Sequence, residues 1–259
     1  MRILALLALF TALTACGHKS DPDILNVGTI AGPETELVQV AADIAHQQYG
    51  LNVKVIEFND YNLPNAALQD GSLDANVYQH LPYLKASMKA HGFDLEAIGK
   101  TFVYPTGIYS KKIKSIAELP NQAIIAIPND PSNESRSLLL LEKAGLITLK
   151  TSDNANIKDI THNPKQLKLK ELDAAQLPRV LDDVDAAVIN TTFAIPAGLT
   201  PSRDAIFIEG KDSPYANLIV IRRDSAKKSQ LLQLVKALNS AQVKLKAQAL
   251  FGEGAVAAW

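Results

Sequence analysis

Arg136 is the side chain whose position most demands a partner. It lies in PNDPSNESRSLLLLEKAGL (128–146), where Asp130 suits an N-cap, Pro131 the first helical position and Gly145 a C-terminal stop. A helix N-terminus already holds partial positive charge and free N–H groups. An arginine added there calls for an anion, and a carboxylate gripped through two parallel hydrogen bonds is the fit. Asn190 and Asn217, both beside strand ends, can turn carbonyl oxygens toward an ammonium group. Four of the seven tyrosines, Tyr61, Tyr78, Tyr83 and Tyr104, stand in loops of the first half, where their rings can enclose an apolar chain or a thioether. The set suits a small amphiphile with a carboxylate at one end.

Each residue also has a plainer role open to it. Glu134 is a local acid for Arg136, tyrosines near strands often only pack a rim, His80 can cap a loop, and the two asparagines can satisfy turn backbone. Read from residue types alone, the pattern stops at a small anionic ligand. Catalytic patterns are absent from the sequence: there is no Gly-x-Ser-x-Gly elbow and no phosphate loop. The five histidines lack metal-ligand spacing, and His80 with Asp74 is the sole candidate acid–base pair. A non-enzymatic binding protein without metal or cofactor is expected.

The elements that must position these residues alternate between strand and helix. Strand patterns fall at 24–30, 53–58, 75–78, 102–110, 123–127, 167–172, 186–189, 206–208 and 218–222. Helical faces lie between them, with one long amphipathic helix expected over 229–250. Such alternation predicts α/β architecture with mostly parallel sheets flanked by helices, and the number of strands suits two sheets and hence two lobes. In open sheets of this kind ligands bind beyond the carboxyl ends of strands, where the polar and aromatic loops listed above fall.

Composition sets the bounds. The chain of 259 residues is 47 % hydrophobic, with 26 basic and 27 acidic side chains and a net charge of −1, so a nucleic-acid partner is not expected. MRILALLALFTALTAC (1–16) reads as a secretory leader ending in a bacterial lipoprotein box, Leu13-Thr14-Ala15-Cys16. Cys16 is the only cysteine, so it has no intrachain disulfide partner, and lipid attachment accounts for it. The expected divisions are a signal peptide over 1–15, a lipid-anchored tether over 16–23, one lobe from 24–103 plus 224–259, and a second lobe over 104–223.

Several segments resemble the methionine-binding lipoprotein family, the NlpA-type substrate-binding subunits of methionine ABC importers. They are FNDYNLPNAAL (58–68), DANVYQHLPYL (74–84), TFVYPTGIYSKKIKS (101–115), PNDPSNESRSLLLLEKAGLI (128–147), LKLKELDAAQLPR (167–179), AVINTTFA (187–194), SPYANLIV (213–220) and the closing GAVAAW (254–259). The resemblance implies a two-lobed periplasmic-binding-protein fold that closes around L-methionine, or around D-methionine or a derivative. By position, Arg136 would bind the carboxylate with Asn133 nearby, and Asn190 and Asn217 would hold the amino group. Tyr61, Tyr78, His80, Tyr83 and Tyr104 would line the side-chain slot. It further implies a monomer, lipid-anchored through Cys16 and facing the periplasm, that delivers its ligand to a permease and ATPase complex. The alternatives are another small amino acid, a methionine-containing dipeptide, or a surface-displayed, adhesin-like lipoprotein. The chain departs from the family in Tyr78, where phenylalanine is frequent, and in Glu134-Ser135, where glycine usually precedes the arginine.

Overall fold

The computed structural model describes residues 24–210 and 213–259, so the expected signal peptide, the lipidated Cys16 and the tether lie outside the described residues. The strands are β1 (Ile24–Ile30), β2 (Asn52–Phe58), β3 (Ala75–His80), β4 (Leu95–Val103), β5 (Gly107–Tyr109), β6 (Ile124–Pro128), β7 (Thr148–Leu149), β8 (Ile160–His162), β9 (Lys168–Leu172), β10 (Ala186–Ile189), β11 (Ala205–Ile208), β12 (Ala216–Arg222) and β13 (Val256–Ala257). The helices are α1 (Pro33–Tyr49), α2 (Leu63–Gln69), α3 (Leu81–His91), α4 (Pro131–Lys143), α5 (Thr191–Ala194), α6 (Pro201–Asp204), α7 (Lys228–Leu238) and α8 (Ala241–Phe251).

Two large sheets result, in the orders β13-β4-β12-β3-β1-β2 and β11-β5-β10-β6-β9. The two-lobed α/β architecture is as read from the sequence, but the sheets are mixed rather than mostly parallel. β1 runs parallel to β2 and β3, and β6 parallel to β9 and β10, while β4, β5, β11, β12 and β13 pair antiparallel to their neighbours. Antiparallel strands enter because both crossings between the lobes add a strand that runs back beside the parallel set.

The chain crosses at residues 104–106 and returns between β11 and β12. Sequence reading keeps the second lobe going to residue 223, yet β12 lies in the first sheet between β3 and β4. Its run ANLIVI is buried on both faces, as a central strand requires. The return to the first lobe thus comes one strand earlier than expected. The long C-terminal helix is likewise two helices, broken where the Ser240 hydroxyl accepts from the Val243 amide at 3.3 Å and caps α8.

Helices cover both faces of the first sheet. Leu37, Val38, Ala41, Ile44 and Ala45 of α1 recur at helical spacing and pack with Leu231, Leu234 and Leu238 of α7 against Leu25, Val27 and Val77. On the other face Leu68 and Leu84 meet Leu218 and Val220. In the second lobe Leu138 and Leu141 of α4 cover one face, over Ile125, Ile127 and Val188. Leu177 and Ala194 cover the other. Gly145, at φ 73°, ends α4 in the left-handed turn that glycine adopts without cost.

Candidate functional site

The carboxyl ends of β1, β3, β6 and β10 face the junction of the lobes, and the following loops carry the polar residues there. Asp130 begins α4 by accepting the Asn133 amide at 2.9 Å, which makes Arg136 the second-turn residue that reaches the junction. Asn190 ends β10, and Asn217 opens β12 opposite His80 at the end of β3. All nine residues expected from the sequence, Tyr61, Tyr78, His80, Tyr83, Tyr104, Asn133, Arg136, Asn190 and Asn217, line one cavity. Gln79, Thr191 and Thr192 complete its wall.

The cavity is enclosed because the lobes touch around it. Tyr61 of the first lobe packs on Phe193 of the second with ring centroids 4.8 Å apart. His80 Nε2 donates to Asn133 Oδ1 at 3.4 Å, and Asn62 Nδ2 donates to Asp173 Oδ2 at 3.2 Å. His80 does also cap α3, its Nδ1 accepting the Tyr83 amide at 3.3 Å, which places the ring proton on Nε2. Burial first, then the nearby Arg136 charge, pull its pKa down to about 3, so the ring is neutral. Asp74, its sole candidate acid partner, lies beyond the far end of β3, about 20 Å away at 3.3 Å per residue. There it pairs with Lys227 at 3.1 Å and accepts the Asn26 amide at 2.8 Å. No acid–base pair forms.

Arg136 already has an intrachain anion, and it is not Glu134. Glu134 accepts the Ile157 amide at 3.0 Å and does not line the cavity. Glu209, on the return crossing, takes the side edge of the guanidinium: Arg136 Nε donates to Oε1 at 3.1 Å and Nη2 donates to Oε2. Nη2 also donates to the Tyr104 carbonyl at 3.0 Å, and the Tyr215 ring stacks 4.3 Å from the guanidinium carbon. Among the described residues, only Nη1 is left without a hydrogen-bond partner. The two-nitrogen edge that the sequence suggested for a carboxylate is therefore taken by Glu209, and Nη1 keeps its two N–H bonds. Glu209 Oε2 also accepts the Thr106 amide at 3.1 Å, so this ion pair ties both crossings together.

The aromatic side is held by its own polar atoms. Tyr78 and Tyr83 donate their hydroxyls to the same Tyr61 carbonyl, at 3.2 and 2.8 Å. Burial pushes the Tyr61, Tyr78 and Tyr83 hydroxyls above the ordinary tyrosine range, and they stay protonated. The Tyr78 hydroxyl proton is turned to backbone and is therefore engaged within the chain.

A second carboxylate escaped the sequence reading. Glu34, in the first turn of α1 and 5 % exposed, accepts both 3.1 Å bonds from Asn217 Nδ2. Burial raises its pKa to about 7, against the Asn217 hydrogen bond and the Tyr104 hydroxyl, which both lower it. Gly32-Pro33-Glu34 directly follows β1, so the strand-end rule contained the signal. Glu209 directly follows β11 in the same way, and Tyr215 directly precedes β12.

Comparison with known proteins accords with this architecture. The model of the family described as NlpA lipoprotein matches residues 25–259. The D-methionine-binding lipoprotein MetQ of Salmonella typhi is 50 % identical over 255 residues, covering 96 % of this chain and 93 % of that protein. An ABC transporter periplasmic substrate-binding protein from Coxiella burnetii is 58 % identical with a TM-score of 0.88, covering 90 % of this chain and 100 % of that one. A nutrient-binding protein from Burkholderia cenocepacia, solved bound to methionine, is 52 % identical with a TM-score of 0.88, covering 91 % and 100 %. With the family model matched from β1 to the last residue, the chain belongs to the NlpA lipoprotein family.

Proposed function

We propose that this protein captures methionine in the cavity between its lobes, outside the cytoplasmic membrane, and delivers it to an ABC importer without making or breaking a bond. The observation that carries the reading is the pairing, in one enclosed cavity, of a single free guanidinium nitrogen with amide oxygens at one side and a tyrosine cluster at the other. Arg136 Nη1 meets the ligand carboxylate. Asn190 and Asn217 accept from its ammonium, and Asn133 holds Asn190. Tyr61, Tyr78, His80, Tyr83 and Tyr104 surround the thioether chain, where neutral rings offer edge contacts to sulfur. The names of its relatives support this reading, one being a D-methionine-binding lipoprotein and another having been solved with methionine bound.

Delivery requires the lobes to part, and they would turn about the crossings, one of which is 104–106. Cys16, freed as the first residue once 1–15 are removed, would carry the lipid that holds the protein at the membrane facing the periplasm, with 16–23 as a tether. A permease and ATPase pair would receive the ligand.

Calorimetric titration of the protein from Ser20 onward, stripped of ligand by unfolding and refolding, tests the reading. L-methionine, D-methionine, glycyl-methionine and leucine are titrated in parallel. Submicromolar binding of a methionine isomer with leucine at least a hundredfold weaker is expected. Leucine binding as tightly as methionine would refute the thioether slot, and no binding by any of them would refute the ligand class.

A further inference from the structure

We propose that two carboxylates that do not line the cavity, the buried Glu34 and the half-buried Asp130, make it select an ammonium group by fixing the polarity of its two amide walls; the inference rests on the proposed amino-acid ligand. An asparagine side chain can present either its oxygen or its NH2 to a ligand, and only its other neighbours decide which. An ionised carboxylate accepts and never donates, so it captures the NH2 and turns the oxygen the opposite way.

The first chain of command has three members. Asp130 accepts from Asn133 Nδ2 at both oxygens, at 3.1 and 2.9 Å. Asn133 must then turn Oδ1 away, and Oδ1 accepts from Asn190 Nδ2 at 2.9 Å. Asn190 is left with Oδ1 as its outward atom, and that oxygen is buried with no hydrogen-bond partner. Such an oxygen is unfavourable unless something donates to it. The second chain is shorter: Glu34 captures the Asn217 NH2 with both oxygens, leaving Asn217 Oδ1 for the cavity. Two acceptor oxygens on the wall match a donor-only –NH3⁺ and would repel a carboxylate or an ether oxygen placed there.

Glu34 adds charge as well as orientation. It stands at the N-terminus of α1, where the helix field favours the anion, while burial opposes it. The titratable groups around it are the protonated hydroxyls of Tyr104 and Tyr61. Arg136 lies across the cavity and is paired with Glu209, and Lys246 of α8 is committed to Glu36. An arriving ammonium is thus the cation that favours ionised Glu34. With its pKa raised by burial to about 7, Glu34 is partly protonated near neutral pH, and ligand binding expels that proton.

The test compares L-methionine with 4-(methylthio)butanoic acid, the same molecule without its amino group, by calorimetry on the unsubstituted protein, Glu34→Gln and Asp130→Asn. Asparagine is as good an N-cap as aspartate, so Asp130→Asn keeps α4. Each variant is expected to reduce the preference for methionine over the deaminated acid at least tenfold. A loss shared equally by both ligands would mean a merely structural role and overturn the proposal. The unsubstituted protein supplies a readout that needs no variant: its preference should fall as pH drops from 8 to 6, with net proton release on methionine binding at pH 6.5. A pH-independent preference would equally overturn it. Should the unsubstituted protein bind no amino acid at any pH, the proposed function itself fails and takes this assignment with it.

Discussion

Arg136→Ala removes two things at once, and the structure shows how to separate them. The ligand loses the Nη1 donor, a charge-assisted bond of about 1.5–3 kcal/mol, and its carboxylate is left buried without a counter-charge, bringing the total to about 2–5 kcal/mol. At 1.4 kcal/mol per decade that is a loss of about 30-fold to a few thousand-fold in affinity. The fold loses the pair with Glu209, whose partners are 5 % and 14 % exposed. Breaking a buried pair costs about 3–5 kcal/mol, and Glu209 keeps the Thr106 amide and some solvent, so the lower end is expected. Arg136→Ala/Glu209→Gln removes the orphaned charge and should regain most of the stability while leaving the affinity loss in place. Calorimetric titration and urea unfolding of both variants read the two terms separately. Methionine affinity within twofold of the unsubstituted protein in Arg136→Ala would refute the ligand contact. Affinity restored along with stability in the double variant would show that the loss came from the crossings alone.

Three further outcomes follow from particular contacts. Glu34, raised from 4.5 to about 7, contributes stability that is full below pH 4.5 and lost as pH rises through 7; His80, lowered from 6.5 to about 3, contributes stability present above 6.5 and lost as pH falls toward 3. Between pH 4.5 and 6.5 each changes the ligand-free protein by about 1.4 kcal/mol per pH unit with opposite signs, so urea midpoints of Glu34→Gln should fall with decreasing pH and those of His80→Gln should rise, relative to the unsubstituted protein; parallel curves would refute the assignment. Tyr78→Phe forfeits only the 3.2 Å bond to the Tyr61 carbonyl, so it should cost no more than about 1 kcal/mol in urea unfolding and leave the discrimination between methionine and its sulfoxide unchanged. Gly28→Ala would place a methyl 2.5 Å from Leu73 Cδ1 and 3.2 Å from Phe58, and an overpacking cost of about 1–3 kcal/mol should appear as a lowered thermal midpoint; an unchanged midpoint would show that this side of β1 can yield.

Much of this was legible in the chain because it is written locally. The β-α alternation, the Asp130-Pro131 helix start and the apolar faces of α1 and α4 depend on residues a few positions apart, and they are where periodicity and capping rules place them. That these residues gather around one cavity was legible because they lie in the loops at strand ends, and strand ends of one sheet converge. Strand direction was less accessible. A buried run such as ANLIVI reads the same whether it runs parallel or antiparallel, and only the pairing with β3 and β4 assigned β12 to the first lobe. The break at Asn239–Ser240 was hidden because α7 and α8 both continue an amphipathic pattern, with Ser240 the one residue that signals a new start.

The harder omission concerns partners rather than positions. Arg136 was read as awaiting a ligand because its sequence neighbours offered only Glu134, whereas its anion comes from a residue seventy-three positions away. Asn217 meets Glu34 at a separation of 183. Charges in a cleft between lobes are balanced across the chain, since both crossings and both sheet edges meet there, and no window of sequence contains both members of such a pair. Residue type at a strand end therefore reports that a group faces the cavity, but not which of its atoms is already engaged. For an arginine that distinction halves its free edge, and for an asparagine it inverts the sign of the group it presents. The ligand chemistry of this site is set less by the residues that touch the cavity than by the carboxylates behind them.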